Sequence, residues 1–133
     1  MRILVADDYA DWRAKVRVIV GYRPQWQIID EACDGEEAVE KAAQLKPDIV
    51  ILDLSMPRLN GIEAAKLIQQ RSSSTRVVFL SENLDTDIQQ AALNVGHAYV
   101  LKSSAARELI PAIERVQAAA ASGQESDSIN SRN

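Results

Sequence analysis

Four short apolar runs in this chain each end directly in a charged or hydroxyl-bearing residue. The residues that follow the runs 3–6, 49–52, 77–80 and 99–101 are, in that order, Asp7, Asp53, Ser81 and Lys102. Short runs this rich in Val, Ile and Leu are typical of strands buried on both faces of a parallel sheet. Because the carboxyl ends of parallel strands meet at one edge, we expect these side chains, with Asp8 beside the first, to share one cleft.

The chain alternates strand-like and helix-like segments, which favours a doubly wound α/β fold. We predict five strands, at 2–6, 27–32, 49–52, 76–80 and 98–101. Five helices are predicted at 10–21, 35–45, 61–70, 85–94 and 104–121. The first carries an apolar stripe made of Trp12, Val16, Ile19 and Val20. The pattern predicts a five-stranded parallel sheet of the flavodoxin-like order 2-1-3-4-5.

Local motifs mark several helix ends. Asp34 precedes Glu37 by three residues, and Asn60 precedes Glu63 by three, which is the spacing of a capping box. Gly96 stands where a left-handed residue would end the fourth helix.

The last helix and the residues after it set the domain boundary. Pro111 lies inside this helix and should bend it or delay its regular start. From Ser122 onward the apolar period is lost. We therefore expect one domain over residues 1–121 and a polar tail, or the beginning of a linker, over 122–133.

Composition narrows the class of protein. The 133 residues suit a single domain, and the formal net charge of −4 argues against direct nucleic acid binding. No apolar stretch approaches the roughly 18 residues of a membrane span, and because residues 1–4 enter a strand-like run directly, we expect no signal peptide. The single cysteine, Cys33, suits the cytoplasm and is predicted to be buried. Because the chain has a single histidine, His97, a histidine-rich metal site is excluded. His97 itself is predicted to be a solvated loop residue.

The acidic residues at the first and third strand ends point to a metal and phosphoryl site. With these strands adjacent, Asp7, Asp8 and Asp53 repel one another unless a cation joins them. An all-oxygen ligand set with room for water suits Mg²⁺. Lys102 is long enough to reach over the intervening strand, and Ser81 can donate to a phosphoryl oxygen. The chemistry that follows is attack of the Asp53 carboxylate on phosphorus.

Simpler explanations exist for each residue. Asp7 and Asp8 could cap the first helix, Asp53 could cap a loop, Lys102 could be a solvated strand end and Ser81 could form a turn. Two other functions fit less well. A phosphoaspartyl hydrolase of the haloacid-dehalogenase kind needs a second carboxylate where Ser55 stands. A flavodoxin-like cofactor binder needs a phosphate loop after the first strand, where the acidic pair would repel phosphate.

Taken together, these residues resemble a response-regulator receiver domain, with a CheY-like fold, over residues 1–121. The matching pieces are Val5-Ala6-Asp7-Asp8, Leu52-Asp53-Leu54-Ser55-Met56-Pro57 with Asn60-Gly61, Ser81, and Tyr99-Val100-Leu101-Lys102. Residues 53–65 and 101–103 are similar to the NarL/FixJ-type subfamily in particular.

The resemblance implies that a sensor histidine kinase or phosphotransfer protein phosphorylates Asp53. Mg²⁺ would then be held by Asp8, Asp53 and the backbone carbonyl of Ser55, with Asp7 acting mostly through water. The chain would be no enzyme beyond promoting its own phosphorylation and slow dephosphorylation.

The resemblance also implies a switch. Ser81 and Tyr99 match the pair that would move on phosphorylation and remodel the face formed by the fourth helix, fifth strand and fifth helix. Ser55 and Asn83 match the residues that tune phosphoryl lifetime. Ser103 replaces a proline common in this family, so the geometry of the Lys102–Ser103 peptide stays open.

Relatives of this subfamily imply a role in transcription. We expect control of transcription through a DNA-binding domain absent from this chain. The alternatives are a stand-alone receiver acting through protein contacts and a degenerate receiver that works without phosphate. A homodimer could form through the last helix or through the face named above, and the sequence does not choose between them.

Overall fold

The computed structural model describes residues 1–122, in which five parallel strands alternate with five α-helices. The strands are β1 Arg2–Ala6, β2 Gln27–Ala32, β3 Ile49–Leu52, β4 Arg76–Ser81 and β5 Ala98–Leu101. The helices are α1 Ala10–Val20, α2 Gly35–Leu45, α3 Gly61–Arg71, α4 Thr86–Leu93 and α5 Ala105–Ser122. The strand order is β2-β1-β3-β4-β5, which confirms the predicted fold.

Both faces of the sheet are buried, which explains why the central strands are continuously apolar. On β1, Leu4 and Ala6 pack into a cluster with α2 and α3, whereas Ile3 and Val5 pack with α1 and α5 on the opposite face. Successive side chains of a strand point to opposite faces, so every residue of β3 is buried by one cluster or the other. This packing fixes the register that brings the strand ends together.

The predicted caps of α2 and α3 are confirmed. The Asp34 side chain accepts a hydrogen bond from the Glu37 N–H, and the Asn60 side chain accepts one from the Glu63 N–H. The prediction for Gly96 was wrong, because its φ lies outside the left-handed region. Glycine is required there by close approach instead, since a Cβ would lie 2.4 Å from Cε2 of Phe79.

α5 runs as one helix through Pro111, which is exposed. A 3-10 turn, Lys102–Ser104, precedes it, and the Lys102–Ser103 peptide is trans. The helix extends to Ser122, the last residue that the structure describes, whereas the prediction placed its end at residue 121. The remainder of the predicted tail, 123–133, lies outside the described residues.

Two single-residue predictions were wrong. Cys33 is exposed, at the first position after β2, where the apolar run no longer covers it. A hydrogen bond to Glu37 raises the pKa of its thiol. His97 is half-buried rather than solvated, because its Nδ1 accepts a hydrogen bond from the Val77 N–H at 3.0 Å. Within residues 1–122, no helix is both long and apolar enough to cross a membrane.

Candidate functional site

The site begins at the carboxyl ends of β1 and β3, which are neighbours in the sheet. Ala6 lies opposite Leu52, and the Asp53 N–H donates to the Ala6 carbonyl at 3.0 Å. The residues after each strand therefore face one another. One carboxylate oxygen from each of Asp7, Asp8 and Asp53 lies within 4.8 Å of the others.

Lys102 brings a positive charge to the same cluster. Its Nζ lies 2.8 Å from Oδ2 of Asp7 and 3.6 Å from Oδ1 of Asp53. The residue is only 4% exposed, so it is not a solvated strand end. A buried ammonium group is tolerated only when it is paired, and here two carboxylates provide the pairing.

The environment of Asp53 shifts its acid–base equilibrium. Burial, then the neighbouring charge of Asp7, raises its pKa from 3.8 to about 6. The Lys102 charge and a hydrogen bond from the Ser55 backbone act in the opposite direction, and Asp8 adds a smaller upward effect. The carboxylate is therefore mostly ionised at pH 7 yet costly to keep ionised, which favours reaction with an electrophile or pairing with a cation.

The carboxylate cluster fits a divalent cation. Oδ1 of Asp8 is buried and has no hydrogen-bond partner among residues 1–122. Both oxygens of Asp7 are engaged, Oδ1 with the Tyr9 N–H and Oδ2 with Lys102. The unpaired oxygen therefore belongs to Asp8, and an all-carboxylate donor set matches Mg²⁺. The acidic pair does not cap α1, whose N-cap is Tyr9.

The remaining predicted residues meet beside this cluster, around the β4–α4 loop. Oγ of Ser81 accepts a hydrogen bond from the Asn83 N–H at 3.0 Å, so the serine does form a turn. The Tyr99 hydroxyl donates to the Asn83 carbonyl at 2.9 Å. Asn83 thus contacts both residues matched to the switch pair. A surface cavity of about 330 Å³ lies between Asn83 and Ser55.

Sequence reasoning missed the residues of α1 that support the site. Nη1 of Arg13 donates to the Asp7 carbonyl at 2.7 Å, while its Nε pairs with Glu31 at 3.0 Å. The aromatic rings of Tyr9 and Trp12 lie near the Lys102 ammonium group. The apolar stripe on α1 was the only signal for Trp12, and it predicted core packing rather than contact with a charge.

Known proteins match this arrangement over most of the chain. Residues 3–114 match the response regulator receiver domain family. The nitrate/nitrite response regulator protein NarL of Escherichia coli K12 is 33% identical over 117 residues, covering 87% of this chain and 54% of that protein. The chain therefore spans about half the length of this curated relative.

Solved structures give the same result. A LuxR-family two-component response regulator from Aurantimonas superposes with a TM-score of 0.83 at 33% identity, covering 88% of this chain and 84% of that one. A chain of the CheX–CheY complex with BeF₃ and Mg from Borrelia burgdorferi superposes with a TM-score of 0.80 at 28% identity. The match covers 87% of this chain and 88% of that one. Because the family model matches residues 3–114 and the fold is shared with these structures, this chain belongs to the response regulator receiver domain family.

Proposed function

We propose that the chain accepts a phosphoryl group on Asp53 from a sensor histidine kinase or a phosphotransfer protein. The observation that carries this proposal is the position of the Asp53 carboxylate. It is 5% exposed, lies beside two further carboxylates and stands 3.6 Å from the buried Lys102 ammonium group. A nucleophile, an acidic metal pocket and a fixed cation in one cleft are what phosphoryl transfer to a carboxylate requires.

In the proposed reaction an Asp53 oxygen forms a bond to phosphorus. The phosphorus–nitrogen bond of the donor phosphohistidine breaks, and its electron pair stays on the imidazole. The Lys102 ammonium group balances negative charge on the phosphoryl oxygens. Oγ of Ser81 accepts a hydrogen bond from the Asn83 N–H, and a hydroxyl that accepts can still donate its hydrogen, here to a phosphoryl oxygen.

The acidic cluster supports Mg²⁺ as the cofactor. Asp8, Asp53 and the Ser55 carbonyl would hold the ion, and Asp7 would contact it through water. When bound, Mg²⁺ supplies positive charge for the phosphoryl oxygens. The unpaired Asp8 oxygen is the observation that favours this assignment.

We propose that phosphorylation switches the face formed by α4, β5 and α5. Movement of Ser81 toward the phosphoryl group breaks its hydrogen bond with Asn83, whose carbonyl is also the acceptor for Tyr99. The two switch residues are therefore coupled through one loop residue. If the new charge interacts more favourably with one conformation of this face than with the other by a few kcal/mol, the equilibrium between the two shifts.

The output proposed for the whole protein is control of transcription in the cytoplasm, by analogy with the transcriptional regulatory protein LiaR of Bacillus subtilis, which is 34% identical over 114 residues. A DNA-binding domain outside this chain would perform it, and we propose that phosphorylation promotes a homodimer. This domain itself is not proposed to bind DNA, so a gel-shift assay with this chain should be negative.

Beryllofluoride, a stable mimic of a phosphoryl group, provides the test. Addition of beryllofluoride with Mg²⁺ should change the fluorescence of Trp12 or Trp26 in the wild type and leave Asp53→Asn unchanged. Intact mass after incubation with acetyl phosphate should show one phosphoryl group in the wild type alone. Silence of both proteins in both assays would instead favour a receiver that works without phosphate.

A further inference from the structure

The indole ring of Trp12 on α1 lies beside the buried ammonium group of Lys102. The distance from Nζ to the ring centroid is 5.0 Å, within the range of a cation–π interaction. The Tyr9 ring is farther from the same nitrogen, at 6.0 Å. Trp12 is half-buried and packs against the α1–α5 side of the core, which fixes the position of the ring.

We propose that Trp12 is a positioning residue for Lys102, holding the ammonium group at the carboxylate cluster through the face of its ring. This inference rests on the proposed function, because Lys102 acts there on the phosphoryl oxygens. Tryptophan is the strongest aromatic partner for a cation, and the interaction strengthens when the cation is removed from water. Both conditions hold at Lys102, which is 4% exposed.

The ring contributes most when the carboxylates contribute least. Once a divalent cation is bound, the negative charge of Asp7 and Asp53 is shared between that cation and Lys102. Once Asp53 becomes an acyl phosphate, its carboxylate charge is gone and the amine must turn toward the phosphoryl oxygens instead. The ring is neutral, so neither change alters its attraction for the ammonium group. The amine also stays buried, which keeps this attraction strong. Trp12 therefore keeps the amine in the cleft during transfer.

The neighbouring Lys15 supplies a matched control. Its Nζ lies 4.5 Å from the centroid of the same ring, closer than that of Lys102. Lys15 is exposed, however, and water screens a surface cation from the ring. Removing its charge tests whether any cation near Trp12 matters or only the buried one.

The kinetic test uses acetyl phosphate with Mg²⁺, in which an oxygen–phosphorus bond to Asp53 forms and acetate leaves. Trp12→Leu removes the π face, whereas Trp12→Phe shortens the side chain but keeps a ring. We expect Trp12→Leu to slow phosphorylation about 3- to 10-fold and Trp12→Phe to recover most of the rate. Lys15→Gln should react like the wild type. Equal rates in all four proteins, or equal slowing in both Trp12 variants, would overturn the proposal and leave Trp12 a packing residue.

A second measurement does not depend on phosphorylation. Protons of the Lys102 ε-methylene should be shifted upfield in the NMR spectrum by the ring current of Trp12. The shift should survive in part in Trp12→Phe and disappear in Trp12→Leu. If the wild type accepts no phosphoryl group, the proposed function fails, and this shift still decides whether the ring positions the amine. An unshifted methylene in the wild type would refute the positioning role on its own.

Discussion

The ammonium group of Lys102 makes its shortest ion pair with Asp7, at 2.8 Å, and both residues are buried. Removing one partner of a buried pair leaves the other charge desolvated, which costs about 3–5 kcal/mol. Lys102→Gln should therefore lower the free energy of unfolding by about this amount in EDTA. Mg²⁺ should restore part of the loss, because it provides another cation for the carboxylates. Urea denaturation with and without Mg²⁺ measures both effects, and a loss that Mg²⁺ does not reduce would contradict this account.

Asp53 should make the stability of the metal-free protein depend on pH. Its pKa is about 6 in the folded chain and 3.8 as the reference value for the unfolded chain, so the folded state binds more protons between these values. The stabilisation is complete below pH 4 and is lost as the pH rises through 6. A shift of about 2 units corresponds to up to about 3 kcal/mol.

Asp53→Asn removes that penalty. In EDTA at pH 7.5 the variant should melt at a higher temperature than the wild type, and the difference should vanish near pH 4. Differential scanning calorimetry at the two pH values provides the measurement. A variant that is less stable than the wild type at pH 7.5 would show that the ionised carboxylate is not a burden on the fold.

Gly61 packs against the backbone of the proposed phosphoacceptor. A Cβ at this position would lie 2.2 Å from the Asp53 carbonyl oxygen, a contact that only backbone movement can relieve. Gly61→Ala should cost about 1–3 kcal/mol and slow phosphorylation, because it displaces residue 53. Gly21→Ala, at the exposed end of α1, is the control. Its backbone is already right-handed helical, so the substitution should be neutral or stabilise the fold by up to about 1 kcal/mol. Equal losses in the two variants would argue against the clash.

Arg13 ties α1 to the acidic turn and to β2. Arg13→Ala removes the hydrogen bond to the Asp7 carbonyl and the pair with Glu31, so we expect a loss of about 1–2 kcal/mol and weaker Mg²⁺ binding. The control is Arg23→Ala, whose ion pair with Glu114 is largely exposed and should contribute little. Chemical denaturation and calorimetric titration with Mg²⁺ measure the two effects. Unchanged Mg²⁺ affinity in Arg13→Ala would exclude its role at the site.

The phosphorylated domain should lose its phosphoryl group slowly. Ser55 and Asn83 line the cavity beside the cluster, and neither side chain is a strong base that could activate a water molecule. Decay of radiolabelled phosphoprotein after removal of the donor measures the lifetime. A half-life of seconds would refute the prediction.

Much of the site follows from local patterns in the sequence. The placement of Asp7, Asp53 and Lys102 directly after apolar runs depends only on strand periodicity and on the topology of parallel sheets, so their convergence is predictable from the residues alone. The capping residues Asp34 and Asn60 are equally predictable, because a cap involves atoms only three residues apart.

Contacts between distant segments are not predictable in this way. A side chain at Gly96 would clash with the ring of Phe79. His97 accepts a hydrogen bond from the Val77 backbone, and Arg13 pairs with Glu31. Each pair is separated by many residues, so no local pattern signals it.

The order of apolar and charged residues along the chain specifies the class of fold and the charged groups that gather at one edge of the sheet. Strand burial follows from short-range periodicity, and the alternation of strands and helices favours the doubly wound strand order. The pairing of those groups emerges only in three dimensions: Lys102 lies closest to Asp7, an oxygen of Asp8 is left without a partner among residues 1–122, and the ring of Trp12 lies beside the amine. Pairing depends on side-chain distances of a few ångströms, and these are set by the packing of α1 and α5 against the sheet.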